Sequence, residues 1–109
     1  DTLDLTVKLT IDEGWHINAH NPSDDTLIPT TIELSTNANF ALKKVNYLKG
    51  PKPLKGAMVI GGKVEVSKTA PEGTTNLDVV VTFQPCDETR CLKAETVSLS
   101  APISVISRP

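Results

Sequence analysis

Cys86 and Cys91 are the only cysteines of the chain, and both lie in one short stretch, FQPCDETRC, with four residues between them. A cysteine pair at that spacing has three uses. It can staple the chain, begin a metal site, or pass electrons as a reversible disulfide. As a staple it is weak, because closing a six-residue loop stabilises a fold by only about 2 kcal/mol before strain is subtracted. A metal site needs three or four ligands. His16 and His20 are the only histidines, and no second CxxC or HxxxH accompanies the pair. The redox use has positive support. A disulfide closed over a short loop at a strand end is often exposed or strained, and such bonds are the labile ones. Charge is uneven around it. Arg90 favours a thiolate at Cys91, whereas Asp87 and Glu88 oppose one nearer Cys86. That asymmetry selects Cys91 as the attacking sulfur.

The elements that position this pair are strands. LDLTVKLTI (3–11) sets Leu3, Leu5, Val7 and Leu9 on one face and Asp4, Thr6, Lys8 and Thr10 on the other. GWHIN (14–18) alternates likewise, which places Trp15 and Ile17 in the core and turns His16 and Asn18 to the opposite face. TTIELS (30–35), FALKKVNYL (40–48), MVIGGKVEVSK (58–68), LDVVVTF (77–83) and ETVSLSAPISVI (95–106) read as further strands. Turn signals separate them at Asp12-Glu13-Gly14, Asn21-Pro22-Ser23-Asp24-Asp25, Gly50-Pro51-Lys52-Pro53 and Pro71-Glu72-Gly73. No stretch has a capped helical pattern. The expected fold is all-β, an immunoglobulin-like antiparallel β-sandwich. The cysteines are too close in sequence to be the inter-sheet bridge of an antibody domain. IGGK (60–63) reads as a hairpin turn, since paired glycines suit positive φ. His20 is expected in solvent, and Asp24 and Asp25 at turns.

Bulk properties narrow the function. The 109 residues fit one domain, residues 1–109. Eleven basic residues against thirteen acidic ones give a net charge of −2. No basic stripe points to nucleic acid, and no apolar run reaches membrane-span length. No Gly-x-Ser-x-Gly elbow or glycine-rich phosphate loop is present, and no cofactor is expected. The chain reads as a mature domain or as a piece excised from a longer protein.

Two blocks, EGWHINAHNPSDDTLIPTTIEL (13–34) and VTFQPCDETRCLKAETVSL (81–99), resemble the N-terminal periplasmic domain of the thiol:disulfide interchange protein DsbD. The order and spacing match, so the resemblance covers most of the chain. It rests on the Gly-Trp-His-Ile segment, the Leu-Ile-Pro-Thr strand, and the aromatic-Gln-x-Cys segment followed by a second cysteine. It implies a periplasmic, monomeric immunoglobulin-like domain whose Cys86–Cys91 pair shuttles electrons. A thioredoxin-like domain, itself fed by a membrane-embedded one, would supply them. Oxidised periplasmic partners such as a disulfide isomerase or a cytochrome c maturation thioredoxin would receive them. Attachment to the membrane would come only through the parent chain. Cys91 would form the mixed disulfide and Cys86 would resolve it. His16 and Asn18 would line the floor of the site. The family covers its cysteines with an aromatic-bearing cap loop. The corresponding GPKPLKGAM (50–58) has no aromatic residue, which leaves Leu54 or Met58 as the expected lid. The chain also lacks the proline pair that often follows the second cysteine, having Lys93 and Ala94 instead. A reading from another class is a non-redox immunoglobulin-like interaction module with a structural local disulfide.

Overall fold

Alternating apolar residues and short turns fold the chain into stacked antiparallel sheets. The computed structural model describes residues 1–35 and 37–106. Among them are eight strands and no helix: β1 (Thr2–Thr10), β2 (His16–Ile17), β3 (Thr31–Leu34), β4 (Phe40–Asn46), β5 (Ala57–Val66), β6 (Gly73–Phe83), β7 (Pro85–Cys86) and β8 (Glu95–Val105). One three-stranded sheet runs β1-β5-β4, a second runs β3-β6-β8, and a two-stranded ribbon pairs β2 with β7. All the ladders are antiparallel.

The core lies between the two larger sheets. Val7 of β1 and Ile60 of β5 meet Ile32 of β3 and Val79 and Val81 of β6. Farther along, Phe40 of β4 and Val64 of β5 meet Leu77 of β6. Both clusters draw on both sheets, which makes the molecule a β-sandwich. Ile60 and Val64 are fully buried, and their removal from water stabilises the fold by about 1.5–3 kcal/mol per side chain.

Two sequence expectations give way here. Gly61 and Gly62 form no hairpin turn. They sit inside β5, opposite Thr6 and Leu5, and neither has positive φ. Gly62 answers a different need. β4 bulges between Leu42 and Lys44, and this brings the Lys44 carbonyl oxygen to 2.7 Å from where a Cβ would stand. Trp15, expected in the core, is only half-buried and lines an open cleft at the edge of the sandwich.

The turns follow their sequence signals. Gly14 and Gly50 have φ of 87° and 89°, in the left-handed region open to glycine. Asp24 Oδ1 accepts hydrogen bonds from the backbone N–H and the hydroxyl of Thr26, at 2.9 and 2.7 Å, and closes an Asx turn. These bonds, the backbone one foremost, hold its carboxyl below the ordinary aspartate range. His20 is not free in solvent. It stacks on Tyr47 with ring centroids 3.6 Å apart, and its Nδ1 lies 3.0 Å from the Thr30 carbonyl oxygen.

Candidate functional site

The cysteine pair sits at one end of the sandwich. There β1 finishes opposite the start of β5, and β6 finishes opposite the start of β8. The chain leaves β6 at Phe83, passes Gln84 and enters β7 at Pro85–Cys86. Four residues, Asp87 to Arg90, then reverse it. Asp87 builds that reversal. Its Oδ1 accepts hydrogen bonds from the N–H groups of Thr89 and Arg90, both at 2.8 Å, and from the Thr89 hydroxyl at 3.0 Å. The Thr89 N–H and then the Arg90 N–H are the main reasons its carboxyl is held below the ordinary aspartate range. The returning chain pairs Cys91 with Cys86 in an antiparallel bridge.

Backbone bonds flank the pair on both sides. The Asp87 N–H donates to the Arg90 carbonyl at 2.9 Å, and the Leu92 N–H donates to the Pro85 carbonyl at 2.8 Å. Cys86 and Cys91 therefore occupy a non-hydrogen-bonded position, where facing strands bring side chains closest. Their Cα atoms are 4.0 Å apart, and the sulfurs are joined in a disulfide of 2.04 Å. The two ends of this bond differ. Cys86 has no exposed surface, whereas Cys91 is exposed.

The ribbon β2–β7 places His16 directly opposite Cys86, and Ile17 opposite Pro85. Directly paired residues point to the same side of a ladder. His16, Cys86 and Cys91 thus share one face, and Ile17 and Pro85 share the other. Leu54 joins the second face. It is bridged to Ile17 through two backbone bonds, of 3.1 and 2.8 Å, and is buried. Met58 lies inside β5 opposite Leu9. The lid expected from Leu54 and Met58 is therefore not where the register puts these residues. Within that segment, alternation puts Pro53 and Lys55 on the cysteine side, and both are exposed.

Another segment does dock on the cysteine face. Asn18 is 3% exposed, and its Nδ2 donates to the Ile28 carbonyl at 2.9 Å and to Gln84 Oε1 at 2.8 Å. Gln84 Oε1 also accepts the Ile28 N–H at 3.1 Å, and its Nε2 donates to the Leu92 carbonyl at 3.2 Å. The Thr30 hydroxyl donates to the Asn18 carbonyl at 2.6 Å. These bonds tie the 18–30 segment to the strand before Cys86 and to the residue after Cys91. Gln84 is the member that sequence reasoning did not assign to the site. Its signal was a polar side chain between Phe83 and Pro85 at the end of a strand that alternates apolar residues. Arg90 is exposed at the tip of the turn, where its carbonyl and N–H both bond to Asp87.

Beside the ribbon lies an apolar cleft of about 520 Å³, and His16 is among the residues at its wall. Trp15, Ile17, Phe83, Pro85 and Leu92 line it together with Val97 and Leu99 of β8. Among the described residues, no three or more His, Cys, Asp or Glu side chains gather as a metal site. Compared with known proteins, the chain matches no family model, no curated protein and no solved structure.

Proposed function

We propose that the domain is a dithiol–disulfide relay of the type its sequence resembles, an immunoglobulin-like periplasmic module that exchanges electrons with thioredoxin-like proteins through Cys86 and Cys91. The observation that carries this reading is the asymmetry of the disulfide: one cysteine is fully buried opposite a histidine, and the other is exposed at the rim. A disulfide that only held a turn together would have no use for this difference.

The chemistry follows from the two environments. A thiolate of a reduced partner attacks Cys91 Sγ, the sulfur on the exposed residue. A mixed disulfide forms, and the Cys86–Cys91 bond breaks, with its electron pair going to Cys86 Sγ. The second thiolate of the partner attacks its own sulfur in the mixed disulfide and releases Cys91. The partner leaves as a disulfide, and the domain holds two electrons and, after uptake from water, two protons. The return step mirrors the first. Cys91 thiolate attacks an acceptor disulfide, and Cys86 then resolves the mixed bond. Burial disfavours charge on Cys86, and the Gln84 carbonyl oxygen 3.7 Å from Cys86 Sγ would accept its thiol proton. Cys91, exposed and next to Arg90, is better suited to carry the thiolate.

Trapping tests the assignment. In Cys86→Ser the remaining Cys91 should capture a thioredoxin-like domain as a stable mixed disulfide. Cys91→Ser should capture at least ten-fold less, because attack needs access as well as thiolate. Equal capture by the two variants would mean that neither sulfur is privileged.

A further inference from the structure

Among the described residues the two larger sheets have four edges, and three of them are protected against further pairing. β4 carries a bulge beside Lys43 and Lys44, β3 is only four residues long, and β8 contains Pro102. β1 differs, with nine residues and neither proline nor bulge. The sandwich is also open beside it. Val97 and Leu99 pair with Val81 and Val79, so they belong to the core-facing side of their sheet, yet they are 41% and 44% exposed. They line the cleft whose other wall includes Lys8, Leu9, Thr10 and Ile11.

We propose that the free edge of β1 pairs antiparallel with β1 of a second copy of this chain, forming a two-fold dimer with one continuous six-stranded sheet. The proposal does not depend on the redox reading, and it replaces the monomer that the resemblance implies. It rests on which groups the edge presents. The Ile11 N–H donates to the Gly56 carbonyl at 2.9 Å and the Val66 N–H to the Asp1 carbonyl at 2.8 Å, so odd-numbered residues bond to β5. The N–H and C=O groups of Thr2, Asp4, Thr6, Lys8 and Thr10 then point to the open side. A symmetric pairing that uses all nine residues must centre on Thr6. That register sets Thr6 against Thr6, Thr2 against Thr10, and Asp4 against Lys8, with the charged pair occurring twice. On the core-facing side it sets Leu5 against Val7 and Leu3 against Leu9. The edge is thus complementary to itself in hydrogen bonding, charge and apolar pattern, as an isologous interface requires. Shifting the register by two residues in either direction loses both charge pairs. The second copy's Leu3 arrives beside Leu9, at the cleft rim where Val97 and Leu99 lie uncovered. Asp4 already bonds Lys63 of its own chain, and the second copy's Lys8 would give that exposed carboxylate another cation.

Sedimentation equilibrium of the oxidised protein over a concentration series tests this. The expected result is a mass rising from 11.7 kDa toward twice that value. Asp4→Lys and Lys8→Asp each place like charges at both contacts and should weaken self-association about ten-fold. Mixed together, the two variants restore opposite charges at both contacts and should form a heterodimer that neither forms alone. Thr6→Pro removes the central outward N–H without touching the β5 ladder, and should abolish the dimer. A monomer mass at every concentration up to about 1 mM would overturn the proposal. So would self-association that survives Thr6→Pro, or charge variants that fail to recombine.

Discussion

Cys86 and Cys91 are the same residue type five positions apart, and what separates them is surface. Cys86 is buried with the Gln84 carbonyl oxygen 3.7 Å from its sulfur, whereas Cys91 is exposed, and on the relay proposed above Cys91 is the end that a partner would reach. Arg90 pointed to the same choice from sequence by charge alone. His16 was legible in kind but not in contact. Alternation put it opposite Trp15 and Ile17, yet only the β2–β7 register sets it directly across from Cys86. An imidazole facing the pair can stabilise a thiolate by charge or take its proton. Removing it in His16→Ala should therefore move the pH of half-maximal thiol alkylation upward. A rate profile superimposable on wild type would reduce His16 to packing. Gln84 escaped assignment because one polar residue in a strand has no periodic signature. Its role exists only through Asn18, Ile28 and Leu92, which lie far apart in sequence or across the turn.

At the scale of elements, the hairpin is held by side-chain bonds as much as by its ladder. Asn18→Ala would leave the Ile28 carbonyl without its Asn18 donor and loosen Gln84. Urea unfolding should show a loss of about 1–3 kcal/mol, with faster reduction of the disulfide by a small thiol. An unchanged midpoint would contradict the anchoring role. Strands were the readable part of the fold, because period-two alternation is local. The starts and ends of β1, β3 and β8 lie within two residues of where the pattern put them. Gly61-Gly62 misled for a physical reason. Two adjacent glycines suit a tight hairpin, but glycine also appears where another backbone comes close, and that need arises from β4. The two positions should separate on substitution. Gly62→Ala places a Cβ 2.7 Å from the Lys44 carbonyl oxygen and should cost about 1–3 kcal/mol, read as a lower thermal midpoint. Gly61→Ala meets the Leu5 carbonyl at an ordinary 3.8 Å and should lie within about 0.5 kcal/mol of wild type.

At the scale of the whole molecule, the sandwich confines the cysteine pair to one end. The sheets bury Val7, Ile60, Val64, Leu77 and Val81 along their length, and the cysteine hairpin, the ribbon and the 18–30 segment close over the end where β6 finishes. The all-β class of this architecture was legible in the alternation of its strands, but its gaps were not. The exposure of Val97 and Leu99 depends on which strand lies opposite β8, and alternation within β8 says only that they share a face. The lid was misplaced for a similar reason, since a one-residue change in how 50–58 meets β2 decides whether Leu54 or Pro53 faces the sulfurs. A rigid frame with a single buried-to-exposed disulfide at its rim suits a relay whose partners change while its own fold does not. The reduction potential of the Cys86–Cys91 pair, measured by equilibrating the native domain with glutathione and dithiothreitol buffers, tests that claim most directly. The relay requires a value above roughly −300 mV, within reach of thioredoxin-like donors and acceptors, with the fold intact in both states. A value below that limit, or a bond that opens only when the domain unfolds, would make the pair a local staple and contradict the relay.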